Sequence, residues 1–357
     1  MHAPFARTRS PTRATQDRPA RGSLIAMSHA TPWERAAEQL HTAAADVIDI
    51  AARREKATSQ NQPTRTASTP KPGHAKGWMS DRQPVDPDSR FDTSVAHPAR
   101  IYAYWIGGKD HYEADRKAAE EVIRLRPQVV ASARANRAFL ARVVRYLAGG
   151  CGIRQFVDVG TDLPAPDSPH QVAQRVDPSC RIVYVDNDPM VLTHARALLT
   201  STPQGACGYV DADLHEPETI VAQAAQTVDF ARPVAILLLA VLHFITDDAG
   251  PAEIVARLAS ALAPGSYLAI SHLTGDFAPD QVAAATAAYN TQCAVPVIAR
   301  THAQITGLVG GLPLLAPGVV PIGEWRPEVG DPFGQPADLH AGLARIPQRR
   351  AHPGGRA

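Results

Sequence analysis

No charge of one sign dominates this chain: 36 Lys and Arg against 35 Asp and Glu leave a formal net charge of +1 over 357 residues. It therefore lacks a global field that would pull it onto nucleic acid or an anionic membrane. Cysteine is sparse. Cys151, Cys180, Cys207 and Cys293 lie far apart with no C-x-x-C pair, which argues against a disulfide framework and a structural zinc site and fits a reducing cytoplasm. Long apolar runs are missing as well. The longest, Val234 to Ile245, is too short to cross a bilayer, and the Arg-bearing N-terminus holds no apolar stretch of signal-peptide length. A G-x-x-x-x-G-K-[ST] phosphate loop and a G-x-G-x-x-G dinucleotide fingerprint are both absent. The expectation is a cytoplasmic protein with no membrane partner and no metal, poorly suited to nucleic acid, its oligomeric state unspecified.

What is present falls into unlike parts. Residues 1–90 are rich in Arg, Pro, Ser, Thr and Gln and poor in aliphatic side chains, the profile of an extension that buries too little to fold alone. Within it, Thr31-Pro32-Trp33-Glu34 opens a helix expected over 33–56. From Phe91 the pattern is globular. Two helices, Glu113 to Leu125 and Gln128 to Ala148, are separated by Pro127, and with the segment before them form a helical cap over 91–150. Over 151–328 short apolar runs alternate with helical stretches: Phe156 to Val159, Ile182 to Val185, Gly208 to Val210, Val234 to Leu239 and Tyr267 to Ser271 read as strands. Strands separated by helices are parallel, and continuous apolar runs mean that both faces of the sheet are covered. The fold class is thus α/β, a doubly wound Rossmann-like core. "VPVIAR" and "LPLLAPGVVPI" are expected to add an antiparallel edge, and 329–357 reads as a flexible tail.

In an open α/β sheet the ligand lies beyond the carboxyl ends of the strands. Those ends read Asp158-Val159-Gly160-Thr161-Asp162, Asp186-Asn187-Asp188, Asp211-Ala212-Asp213 and Ala240-Val241-Leu242-His243. Gly160 lets backbone come close to a ligand. The Asp186 carboxylate suits two ribose hydroxyls, and Asp213 or Asp211 can accept from an exocyclic amine while Ala212 offers an amide to a ring nitrogen. Asp188-Pro189 reads as a helix cap. The set describes an adenosine pocket. With one glycine followed by an acid, the first turn "GTDLPAP" repels phosphate but tolerates the cationic, phosphate-free S-adenosyl-L-methionine.

These stretches resemble the bacterial S-adenosyl methyltransferases of the class I Rossmann-like fold, through "FDTSVAHPARIYAYWIGGKDHYEADR", "SARANRAFLARVVRYL", "RQFVDVGTDLP", "RIVYVDNDPMVLTHARALL", "GYVDADL", "ILLLAVLHFI" and "PGSYLAISH", over about Phe91 to Pro327. The resemblance implies methyl transfer from S-adenosyl-L-methionine. It places Asp158, Gly160 and Thr161 in the first cofactor motif, Asp186 with Asn187 at the ribose, Asp211, Ala212 and Asp213 beside adenine, and His243 facing the transferred methyl. Asp162 departs from it, standing where the family usually has glycine. Its carboxylate either pairs with the cofactor's ammonium or repels the methionine carboxylate, and cofactor binding is expected to persist and to tighten in Asp162→Gly.

Two further stretches are read from their residues. In "IYAYWIGGKDHY", Gly107-Gly108 allows a sharp turn, and Tyr102, Tyr104 or Trp105 either covers the cofactor or pins an N-terminal arm. Asn136 and Arg137 of "RANR" either reach the methionine carboxylate or face solvent. His243 and His272, at strand ends, are the candidate bases, with Asp110 and His111 more remote. The acceptor is expected to be a small molecule, the alternative being a non-catalytic S-adenosylmethionine or nucleoside binder.

Overall fold

The computed structural model describes residues 92–328 and 337–347. The extension 1–90, its helix over 33–56 and most of the segment read as a tail lie outside the described residues. Seven strands form one sheet in the order β3-β2-β1-β4-β5-β7-β6. They are β1 (Gln155–Val159), β2 (Arg181–Asp186), β3 (Ala206–Asp211), β4 (Ala235–Leu239), β5 (Tyr267–Leu273), β6 (Val320–Pro321) and β7 (Leu339–Arg345). The first five pair in parallel, and β7 runs antiparallel to both β5 and β6. Every residue of β1 and β4 is buried. Because successive side chains leave a strand on opposite faces, Val157, Ile236 and Leu238 enter one core, while Phe156, Leu237 and Leu239 enter the other. Two cores on one sheet account for the unbroken apolar runs in the sequence.

Before the sheet come α1 (Pro98–Trp105), α2 (Glu113–Leu125) and α3 (Gln128–Arg145), the last ending in a π-turn over Tyr146–Gly150. Between and after the strands lie α4 (Pro169–Val176), α5 (Pro189–Leu198), α6 (Pro217–Ala224), α7 (Pro251–Ser260), α8 (Pro279–Asn290) and α9 (His302–Leu308). Most of these helices open on proline, whose missing N–H would have no intrahelical partner there. Asp188 accepts from the Met190 amide at 2.8 Å, so Asp188-Pro189 is the expected cap. The buried Asp115 carboxylate holds α1 to α2, accepting from Arg100 Nε at 2.9 Å, the His97 amide at 2.9 Å and the Tyr112 amide at 2.7 Å.

The antiparallel edge is not where the sequence places it. "VPVIAR" forms no strand. Val320–Pro321 of "LPLLAPGVVPI" pairs with β7, which lies in the stretch read as tail. That strand contains Gly342 and is recognisable only through its partner: β5 supplies a continuous register from Tyr267↔Arg345 to Leu273↔Leu339. Arg126 then fixes its entry with two charge-assisted bonds to Asp338, at 2.8 and 2.9 Å. Among the described residues no helix is long and apolar enough to cross a membrane.

Leu343 of β7 is fully buried in the core shared with Phe139, Phe156 and Trp325. Leu343→Ala is expected to cost about 2–5 kcal/mol of stability, read from the denaturant midpoint. A change confined to a tail would leave the midpoint in place.

Candidate active site

The strand order reverses between β1 and β4, and their carboxyl ends open onto a cavity of about 340 Å³. Its floor is the turn after β1. Gly160, at φ +73°, donates its amide to Val185 O at 2.9 Å, and Thr161 donates to the same oxygen at 3.3 Å. A Cβ on Gly160 would stand 2.6 Å from Val241 Cγ2, so this glycine is required as much by the β4 end as by any ligand. Asp162 follows at φ +65°, in the left-handed region that Asp tolerates better than most residues. Thr161 Oγ1 closes the turn by donating to Asp158 Oδ2 at 2.9 Å.

Five aspartates line this cavity: Asp158, Asp162, Asp186 and Asp213 at the ends of β1–β3, and Asp338, paired with Arg126, before β7. Burial pushes the Asp158 carboxyl up to about 7 and the Asp186 carboxyl up to about 6. It also raises Asp162 well above the usual carboxylate range, with Asp186 and Asp158 adding repulsion. Asp186 accepts from the Asp188 amide at 3.0 Å and the Asp162 amide at 3.3 Å, which aims its carboxylate along the cavity wall. Oδ1 of Asp162 accepts from the Leu163 amide at 2.7 Å, whereas Oδ2 is buried without a hydrogen-bond partner. Arg137, donating to Pro166 O at 3.0 Å, is the cation that moderates Asp158 and Asp162. Asp213 accepts from Asn187 Nδ2 and from the His215 amide, each at 2.8 Å.

Of the residues expected from sequence, Asp158, Gly160, Thr161, Asp162, Asp186, Asn187, Ala212, Asp213, Tyr102 and His243 line this one cavity, as do Trp105, Asn136 and Arg137. Asp211 does not. It is the last residue of β3 and is exposed, whereas Asp213 lies in the turn beyond the strand. The Ala212 amide is already donated to Asp186 O at 3.2 Å and so is not the adenine donor expected of it. Gly107 and Gly108 lie outside the cavity and end α1: their amides return to Tyr104 O at 3.0 Å and Ala103 O at 2.7 Å, with Gly107 at φ +85°. Tyr104, Asp110 and His111 do not line the cavity either.

The two histidines part company. His272 is fully buried away from the cavity, donating Nδ1–H to Leu273 O at 2.7 Å while Arg300 donates to its Nε2 at 2.8 Å. Both ring nitrogens are thereby used, burial lowers its pKa to about 4, and it is not available as a base. His243 lines the cavity, and its Nδ1 accepts the Leu273 amide at 3.4 Å. Burial first, then His272 and Arg300, hold its pKa well below the usual value. A neutral ring accepting at Nδ1 carries its proton on Nε2, which suits a donor and not a proton acceptor.

Sequence reasoning missed the wiring behind the site. Ala240, at φ +54°, donates its amide to Ser271 Oγ at 2.9 Å, and Ser271 donates to Asn136 Oδ1 at 2.6 Å. Asn136 Nδ2 then donates to the Tyr102 hydroxyl at 3.2 Å, and that hydroxyl donates to Ala133 O at 2.9 Å. This chain ties the ends of β4 and β5 to α3 and α1. Only the pairing of a polar residue in an apolar strand with a polar residue on an amphipathic helix hinted at it. Also missed was the part in the site played by α8, whose Val282, Ala285 and Tyr289 line the cavity.

The sequence profile of the S-adenosyl methyltransferase family matches residues 84–347. The chain belongs to the S-adenosyl methyltransferase family. Consistent with this, it is 42% identical to a DUF574 family protein from Streptomyces avermitilis, at a TM-score of 0.69, with 72% of this chain and 99% of that one covered. A candidate methyltransferase from Thermobifida fusca is 38% identical at a TM-score of 0.66, with 74% of this chain and all of that one covered. No curated protein matches the chain. The methyltransferase is therefore S-adenosyl-L-methionine-dependent, and the cavity fits that cofactor. An unpartnered buried carboxylate oxygen and two carboxyls raised by desolvation favour a cationic ligand, and no glycine-rich phosphate cradle competes with it.

Gly160→Ala imposes a left-handed angle costing about 1–2 kcal/mol, in addition to the clash with Val241. Thermal unfolding should show a lower midpoint and a smaller shift on adding S-adenosyl-L-methionine. Adding Val241→Ala should recover only the part of the loss due to the clash.

Proposed function

We propose that this chain transfers a methyl group from S-adenosyl-L-methionine to a small-molecule acceptor. The observation carrying this reading is that one modest cavity joins an acid-lined half at the ends of β1–β3 to an apolar half under α1, α2 and α8. A shared space of about 340 Å³ leaves room for a small acceptor and not for a polymer. The near-neutral chain likewise lacks a basic stripe for nucleic acid. A cytoplasmic location belongs to the same reading, the four cysteines being free.

In this assignment Asp186 accepts from the ribose hydroxyls, with Asn187 and Asp213 on the adenine side. Asp162 Oδ2 meets the cofactor's ammonium, and Arg137 with Asn136 meets its carboxylate. Gly160, Thr161 and Asp158 hold the turn under the methionine portion. Residues 91–150 serve as the cap, with Tyr102 and Trp105 closing the cavity against water. When bound, the cofactor supplies an electrophilic methyl carbon. That carbon would be the one an acceptor's lone pair takes up, and Tyr102 and Trp105 would keep water from competing for it. The protein's contribution is alignment and dryness.

Asp186 must be ionised to accept from two hydroxyls, and burial has raised its pKa to about 6. Affinity is present above that value and falls as pH drops through it, by up to tenfold per pH unit for one proton. Calorimetry with S-adenosylhomocysteine from pH 7.5 to 5.0 should show this decline, and Asp186→Asn should bind more weakly at pH 7.5 with a flatter profile. Asp162→Asn, which removes charge but keeps shape, should weaken S-adenosylmethionine binding about tenfold, the worth of one charge-assisted hydrogen bond. Asp162→Gly should also weaken it, the reverse of the sequence-based expectation. Unchanged or tighter binding would return the carboxylate to a repulsive role. Transfer of a labelled methyl group to an acceptor separates the enzyme from a non-catalytic binder.

A further inference from the structure

The half of the cavity opposite the acids has a character of its own. Trp105 from α1, Phe244 after β4, Val282 and Tyr289 from α8, and Val297 supply its surface. The rings of Phe244 and Tyr289 stand 6.5 Å apart at 33°, and the His243 ring meets Phe244 edge-on at 4.4 Å. Polar groups on this wall are largely spent. Trp105 Nε1 donates to Ala119 O at 3.3 Å, and Thr286 Oγ1 donates to Val282 O at 2.7 Å. The ionic groups here, Arg126 and Asp338, neutralise each other through two hydrogen bonds, and Arg126 also donates to Gln281. A charged ligand would be desolvated here without a free counter-charge, a cost far larger than one hydrogen bond returns. A flat apolar ring would be covered by aromatic faces and edges. The polar exceptions are the Tyr289 hydroxyl, buried without a hydrogen-bond partner, and His243: with Nδ1 accepting from the Leu273 amide, the group His243 has left to offer is Nε2–H.

We propose that the methyl acceptor is an uncharged, ring-bearing small molecule seated among Trp105, Phe244 and Tyr289, anchored through one hydrogen-bond-accepting atom by the Nε2–H of His243. This rests on the assignment of the acid-lined half to the cofactor. His243 on this view is a positioning residue and takes no proton from the acceptor.

The test is calorimetry on the full chain saturated with S-adenosylhomocysteine, using two probes with the same rings, neutral 2-naphthol and anionic 2-naphthoate. 2-Naphthol should bind at least tenfold more tightly than 2-naphthoate. His243→Leu should weaken 2-naphthol about tenfold while leaving S-adenosylhomocysteine affinity within a factor of two, and His243→Gln, which restores an N–H donor, should recover most of the loss. Trp105→Ala should weaken 2-naphthol with no effect on that charge preference. Equal or tighter binding of 2-naphthoate overturns the proposal. So does failure of 2-naphthol to bind a protein that binds S-adenosylhomocysteine, and so does a His243→Gln variant no better than His243→Leu. Loss of S-adenosylhomocysteine binding in the parent protein instead overturns the cofactor assignment, and the acceptor proposal falls with it.

Discussion

The contact on which the site depends is the wedge of Gly160 between two neighbouring strands. Its amide and that of Thr161 share Val185 O at the end of β2, and its bare Cα lies against Val241 beyond β4. A side chain there would push β1 and β4 apart where their connections diverge and the cavity begins. With the turn pinned, the left-handed residue that follows sends its own amide to Asp186. Three strand ends are thus locked to one another by backbone groups before any ligand contact is considered, which is the preorganisation an alignment-driven reaction needs.

That rigidity lets the structure carry an unfavourable charge arrangement. Burial raises the carboxyl pKa of Asp158, Asp162 and Asp186; Asp186 adds to the rise at Asp158 and Asp162, and Arg137 moderates those two. Without a ligand these carboxyls are held partly protonated by desolvation, and a cation arriving among them gains the attraction that the protein withholds. The same logic opposes a dinucleotide, whose pyrophosphate would add like charge. The apolar half is the electrostatic converse. The buried Arg126–Asp338 pair cancels within itself, so a change of ligand charge is felt differently at the two ends of one cavity.

Much of this was legible in the sequence because it is local. The periodicity located β1 to β5 within a residue or two, and Glu113–Leu125 matches the observed helix end to end. Asp158, Gly160, Asp186 and Asp213 were found because parallel strands all deliver their ends to one edge. The misreadings were non-local or tautomeric. Strand β7 is a strand only because β5 has an open edge to fill. Asp211 and Asp213 look alike in sequence, and the turn after β3, in which Asp213 accepts from Asn187 and the His215 amide, puts the second at the cavity. His243 and His272 look alike as histidines near strand ends. They differ because Arg300, twenty-eight residues beyond His272 in the chain, donates to the His272 ring.

Arg300 also shows how the acceptor side is kept in shape. Its guanidinium donates to Leu242 O, Ile245 O and Asp247 Oδ1, spanning the turn that carries His243 and Phe244. Ile298 N–H, in the same segment, donates to His243 O at 2.8 Å. The stretch "VPVIAR" therefore contributes no strand, yet it clamps the loop that presents the His243 ring to the cavity. A histidine held at its backbone, at Nδ1 and against Phe244 has little freedom to turn, and one whose neighbours are His272 and a buried guanidinium gains nothing by taking up a proton. Its remaining property is a fixed donor direction, which on the proposed reading selects an acceptor by where that molecule places a lone pair.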